Sequence, residues 1–314
     1  MGEKSKKSGE YGEKSVGNLL KKIGWVTNIN GIDIKCLKGE KHKLDGSTSN
    51  RQTHGIDYLF QYPCPLIDRT QQNVVISVKN RKTYPKTSQG ITSKFKEFLK
   101  DISYAIECFP HDPRSRHRVD NTIKSLETVG VIFWLSSEDE VSKGIIEHME
   151  MFRNTDDLVY KTVYLVDNKR ATFLLESINY ANNLFENCKS EFYYPDTGFN
   201  IQNIGSKKSG PVLPVQYINS NVLPFKIIDA NKTQSLLLCL NDNFSEDYLR
   251  RFIGLAQNLT QKWPHHVILA FPDYRESENK EVVSFVKSEF SDKDFVDRIK
   301  VKSFKQDIRT LEED

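Results

Sequence analysis

Apolar residues recur three and four positions apart at Tyr11, Val16, Leu19, Leu20 and Ile23, which predicts a helix over 9–22 with one buried stripe. Gly24 is a natural stop. Residues 25–36 read as extended, with a break at Asn30-Gly31, and 38–53 are polar and loop-like. Two strands follow. The first, 56–62, is closed by Pro63 and Pro65, which cannot serve a central ladder. The second, 73–78, is centred on the β-branched run Val74-Val75-Ile76, which suits a buried strand. A second helix is predicted over 92–109, where Phe95, Phe98, Leu99, Ile102, Ala105, Ile106 and Phe109 share a face. Residues 129–135 and 159–166 read as further strands and 171–185 as a helix.

The stretch 205–210, Gly-Ser-Lys-Lys-Ser-Gly, has linker composition. Beyond it, strands at 236–240, 266–271 and 299–304 alternate with helices at 246–262 and 280–290, the pattern of parallel α/β units. The predicted class is therefore α/β. The expected parts are a disordered basic tail at 1–8, a domain over 9–205 with a mixed central sheet, and a smaller C-terminal α/β domain over 211–314. The last is expected to dimerise or to bind a partner.

Composition narrows the class. At 314 residues, 38% hydrophobic and 28% charged, the chain can bury a sizeable core, and extensive disorder is excluded. No run of apolar residues is long enough for a transmembrane helix, and the charged N-terminus lacks the apolar stretch of a signal peptide. The five cysteines, Cys36, Cys64, Cys108, Cys188 and Cys239, are scattered, with no CxxC pair. That reads as a cytoplasmic protein with reduced thiols and no structural zinc site. Charge is uneven. Residues 1–120 hold 22 Lys and Arg against 13 Asp and Glu, a net +9, while the remainder carries −6. A basic front half fits an anionic partner such as DNA.

Chemistry concentrates in the two central strands. Hydrolysis of a phosphodiester requires a metal that holds a hydroxide and offsets charge on the phosphate, with carboxylates to bind it and a lysine to steady the attacking water. The segment His54-Gly55-Ile56-Asp57, followed by Ile76-Ser77-Val78-Lys79, sets an acid at the start of one strand and a lysine on its neighbour. Upstream lies an acid-bearing helix, Gly12-Glu13-Lys14-Ser15-Val16. This order of helix, Asp strand, Lys strand and long helix resembles the PD-(D/E)xK superfamily of restriction-like nucleases over roughly residues 9–135.

The resemblance implies a restriction-endonuclease-like core that acts as a metal-dependent DNA endonuclease in restriction or phage defence. It would use Mg²⁺, with Mn²⁺ as a substitute. Asp57 and Glu13 become metal ligands, with Glu10 the alternate, the main-chain carbonyl of Val78 a further ligand, and Lys79 the catalytic lysine. A homo-oligomer or a second defence-system subunit is the expected assembly. One position departs: Ser77 stands where the family has Glu or Asp, which leaves open a catalytically degenerate subunit that only binds nucleic acid.

Around this set, Arg81, Lys82 and Lys86, with Tyr84 among them, and a second basic loop with Arg114, Arg116 and Arg118 are candidates for backbone contact. His54 is a candidate for phosphate contact or water activation, against a structural role. Gln89 is a further polar candidate. Asp33-Ile34-Lys35 also spells D-x-K, but no Gly-x-Asp strand precedes it.

Overall fold

The computed structural model describes residues 2–26, 29–43, 46–149, 152–153, 157–200, 207–260 and 263–305. It divides into two compact units, 1–172 and 173–314.

In the first unit, helix α1 (Gly2–Lys22) precedes strands β1 (Asn30–Lys35), β2 (Thr53–Pro63) and β3 (Thr70–Arg81). Helix α2 (Ser88–Cys108), strand β4 (Ser125–Ser136), strand β5 (Val163–Val166) and helix α3 (Asn168–Asn183), which runs into the second unit, follow. The helix begins at Gly2, where a tail over 1–8 was expected. The sequence there holds Glu3, Lys4, Lys6 and Lys7, residue types of good helix propensity.

The five strands form one sheet in the order β1-β2-β3-β4-β5. β1, β2 and β3 pair antiparallel, while β3–β4 and β4–β5 pair parallel. This is the mixed sheet expected, and α2 is the crossover that parallel pairing requires. β3 is longer than its apolar pattern, because Gln71, Gln72 and Asn73 are also buried. Amide hydrogen bonds hold them there: Gln71 Nε2 donates to Asn73 Oδ1 at 2.9 Å and to the His117 carbonyl at 2.8 Å. Gln72 Nε2 donates to Glu127 Oε2 at 3.0 Å. α2 lays Phe95, Phe98, Leu99, Ile102 and Ile106 on Val75, Ile132 and Trp134. Thr87 caps its start by accepting the Gly90 N–H.

Tyr84, read in the sequence as part of a DNA-tracking loop, is a core residue, 2% exposed. Its hydroxyl lies 2.9 Å from the Trp134 carbonyl and 3.0 Å from Asn168 Oδ1, and accepts the Asn168 backbone N–H at 3.0 Å. It joins the end of β3 to the start of α3.

The second unit contains strands β6 (Lys189–Tyr193), β7 (Ser209–Gly210), β8 (Val222–Ile228), β9 (Gln234–Leu240), β10 (His266–Phe271) and β11 (Ile299–Ser303), and helices α4 (Glu246–Thr260), α5 (Glu276–Glu289) and α6 (Lys293–Asp297). Its sheet runs β11-β10-β9-β8-β6-β7. β9, β10 and β11 are parallel, as the alternation implied, but β8, β6 and β7 add an antiparallel half. That half moves the boundary from 205 to 172. β6 pairs with β8, and Ser209–Gly210, placed in a linker by composition, are a strand against β6. Residues 201–206 lie outside the described residues.

Tyr84→Phe is expected to lower stability by about 1–3 kcal/mol, because it leaves the buried Asn168 N–H without an acceptor. Thermal melting checks this. An unchanged melting temperature would show that the hydroxyl adds nothing.

Candidate active site

β2 and β3 pair from Pro63↔Gln71 to Tyr58↔Ile76. Beyond Tyr58, β2 runs on against β1, with Ile56 opposite Ile32 and His54 opposite Ile34. Asp57 sits where the two strands part. Its Oδ2 accepts the Val78 N–H at 2.5 Å, and the Ser77 hydroxyl also hydrogen-bonds to it. Burial pushes the carboxyl above the usual range, against the pull of the Val78 N–H, the Lys79 charge and Ser77. The neutral residue at 77 therefore holds the acid at 57.

Lys79 lies on the α2 side of β3, its Nζ 5.7 Å from the centre of the Phe98 ring. The same ammonium lies 3.6 Å from Asp101 Oδ2, and Arg51 reaches Asp101 Oδ1 at 2.6 Å. Asp101 was not singled out in the sequence, where it lies on the amphipathic helix between Phe98 and Ile102 and resembles any solvated acid at the edge of a stripe. It is a third of the way to full exposure, and its charge adds to the rise at Asp57.

Glu13 lies on α1, where its carbonyl accepts the Tyr58 hydroxyl at 2.8 Å. Burial, then Asp57, then Glu10, raise its carboxyl above the usual range. Glu10 is thus a neighbour of Glu13. α1 comes close here because Gly12 faces Asn80 of β3, where a Cβ would stand 2.3 Å from the Asn80 Cβ.

Lys79 and Asp101 face a cleft of about 490 Å³. Lys43, Arg51, Arg81, Lys94 and Lys100 line it as well, so cations far outnumber its acids, Glu97 and Asp101. Of these, sequence reading named Lys79 and Arg81. The rest come from the polar loop before β2 and from the polar flank of α2, which only the fold brings together.

The other basic candidates divide. Lys82 and Lys86 are exposed, and Lys82 pairs with Glu138 at 3.0 Å. Arg116 and Gln89 are exposed as well. Arg114 is committed elsewhere: it grips Asp112 with Nε at 2.7 Å and Nη2 at 2.6 Å and donates to the Asp33 carbonyl at 3.0 Å. Arg118 donates to the Ile123 carbonyl. Arg114 is thereby tied to Asp112 and to β1, while Arg118 is exposed and gives one nitrogen to its own loop.

His54 also departs from its candidate role. It is fully buried, among Cys36, His42 and Cys108. Burial, then the Arg51 charge, hold its imidazole at about 4, which makes it a neutral ring away from the cleft. Asp33 lies on β1 opposite Gly55, outside the cleft.

A family model described as the GAPS4 protein PD-(D/E)XK nuclease domain matches residues 1–170. No curated protein and no solved structure matches the chain.

The raised Asp57 carboxyl has a thermodynamic consequence. A carboxyl that binds its proton more readily folded than unfolded gives stability that is present below the unfolded value and lost as pH rises through the folded one. In metal-free buffer, Asp57→Asn is therefore expected to melt higher than wild type at about pH 8, by ~1–4 °C. The gap should close toward about pH 4, the ordinary aspartate value. A variant that melts lower at the higher pH would show that the hydrogen bonds to the carboxylate outweigh its burial.

Proposed function

The chain belongs to the GAPS4 PD-(D/E)XK nuclease domains, a phage-defence nuclease family, and on that premise we propose that it is a metal-dependent DNA endonuclease with Asp57 and Asp101 as its principal acids and Lys79 as its lysine. The observation that carries the reading is the meeting of Lys79 with Asp101 in a basic cleft, beside a half-buried Asp57. In this reading Asp101 on α2 replaces the carboxylate missing at Ser77. Glu13 is the outer acid.

The donors suit a hard divalent cation. They are oxygens: the carboxylates of Asp57, Asp101 and Glu13, with the Val78 carbonyl that the family resemblance adds. Mg²⁺, or Mn²⁺ in its place, prefers such ligands. A cation there would also offset the burial that raises both carboxyls, and the neighbouring acids that add to it, Asp101 at Asp57 and Asp57 with Glu10 at Glu13. When bound, the ion supplies a hydroxide at neutral pH and neutralises charge on the phosphate.

Lys79 steadies the attacking water or the charged phosphate. At 3.6 Å from Asp101 it is drawn to the acid without a close hydrogen bond, so its donors remain for substrate. Arg51, Lys94, Lys100 and Arg81 track the backbone, which gives affinity without sequence preference. Lys82, Lys86 and Arg116 extend that surface. The partner is another copy of the chain or a second defence subunit, and the second unit is the part proposed to meet it.

Ser77 favours a second reading, a cleavage-silent subunit that binds DNA on a nuclease fold. One assay separates them: cleavage of plasmid and linear DNA with Mg²⁺ and with Mn²⁺. Asp57→Ala, Lys79→Ala and Asp101→Ala should each lose about 10²-fold or more, and Ser77→Glu in the Asp101→Ala background should restore part of it. Full activity in Asp101→Ala, with none in Asp57→Ala, would pass the second acid to Glu13. Salt-sensitive DNA binding without cleavage by any form, alone or with its partner, would establish the silent subunit.

A further inference from the structure

Four side chains outside the cleft meet at one point. Cys36 follows β1, His42 lies in the next turn, His54 is on β2 and Cys108 ends α2. Their ligating atoms are buried and all lie within 4.8 Å of one another. His42 Nδ1 is at the centre: 3.6 Å from Cys36 Sγ, 3.6 Å from Cys108 Sγ and 3.3 Å from His54 Nε2.

Hydrogen bonding cannot account for this convergence. Glu107 Oε2 takes His42 Nε2 at 2.8 Å, and Lys38 pairs with the same carboxylate, so Nε2 carries a proton and donates it. Nδ1 then has one lone pair or one proton for three approaching atoms. The other ring is no better served, since His54 is 0% exposed and its Nδ1 has no hydrogen-bond partner.

A tetrahedral metal ion accounts for the convergence on His42 Nδ1, since it would take the lone pairs of His42 Nδ1 and His54 Nε2 and both thiolates. With Zn–S of about 2.3 Å and Zn–N of about 2.05 Å, the edges of the tetrahedron are about 3.6 Å for S–N and about 3.3 Å for N–N. Those are the separations found. The surroundings also fit. Metal-bound histidines commonly give their second nitrogen to a carboxylate, as His42 does to Glu107. Tyr104 stacks on the His42 ring, with centroids 4.0 Å apart and planes at 15°, and fixes its aim. Both cysteines are free thiols.

We propose that Cys36, His42, His54 and Cys108 form a closed structural zinc site, distinct from the carboxylate centre. Two soft thiolates and two imidazoles select zinc, whereas the oxygen donors near Lys79 select Mg²⁺. Four protein ligands leave no open position for a substrate. The ion fastens the polar loop between β1 and β2 to α2. That loop carries Lys43 and Arg51 into the basic cleft, and Arg51 holds Asp101 at 2.6 Å. The zinc thereby sets cleft residues without touching DNA. No CxxC pair marks the site, because its ligands are separated in sequence and brought together by strand pairing and a helix end.

The test uses the full chain, expressed with zinc in the medium and purified under reducing conditions without chelator. Elemental analysis should find about one zinc per chain. Cys36→Ser and Cys108→Ser should each retain less than about a tenth of it, and Asp57→Ala should retain all of it. Wild-type protein stripped of zinc and loaded with Co²⁺ should show the thiolate-to-metal charge-transfer and ligand-field bands of a tetrahedral sulfur–nitrogen site. This measurement needs no variant to fold. Zinc no higher in wild type than in the cysteine variants, with no such bands, overturns the proposal. Loss of zinc in Asp57→Ala overturns it too, by assigning the ion to the cleft. A Cys36–Cys108 disulfide in the reduced preparation would likewise exclude the site. None of these readouts depends on cleavage.

Discussion

Where β2 parts from β3, the Val78 N–H has lost the carbonyl that a continued ladder would have given it. The Asp57 carboxylate takes its place, at 2.5 Å. That exchange of partners closes the gap between the strands and puts a charged group where water is scarce, at the energetic expense seen in its raised carboxyl. Everything else around the cleft is arranged about it. Ser77 adds a hydrogen bond, Lys79 supplies nearby positive charge, and α1 approaches through Gly12 with Glu13 beside it. A carboxylate so placed is stable enough to persist and uncomfortable enough to welcome a cation, a common tension at functional sites.

Elements whose periodicity reflects burial were legible in the sequence. The Val74-Val75-Ile76 run lies in β3, the stripe from Phe95 to Ile106 lies on α2, and the apolar run ending in Trp134 is β4. Strand ends were not legible, because Gln71, Gln72 and Asn73 are buried through amide networks that a hydropathy pattern cannot register. The boundary between units was misplaced for a related reason. Lysines, serines and glycines at 205–210 read as a linker, but backbone pairing uses no side-chain signal, and Ser209–Gly210 pair with β6.

The site shows the same division. Asp57 and Lys79 stand on neighbouring strands, close enough in sequence for a motif to mark them. Asp101, Arg51 and Lys100 join them only through the α2 crossover and the loop before β2. The sequence around each shows an ordinary charged residue. Arg114 shows the opposite: a basic run suggests a free surface, yet its guanidinium group holds Asp112 and the Asp33 carbonyl. Charge along a chain counts cations without saying which are already spent.

The parallel pairing of β3 with β4, from Thr70↔Ser125 to Arg81↔Ser136, has a consequence for the order in which the chain comes to life. Asp57, Lys79 and Asp101 all leave the ribosome before β4 does. Until β4 arrives, β3 is an open sheet edge, and the helix carrying Asp101 lacks Ile132 and Trp134 to pack on. Pairing across so long a crossover closes late, after the loop entropy has been met. The half-made chain therefore carries a full set of residues without the geometry that makes them a site, and only completed synthesis of the first unit arms it. For a protein of a nuclease family, that is a delay written into topology alone.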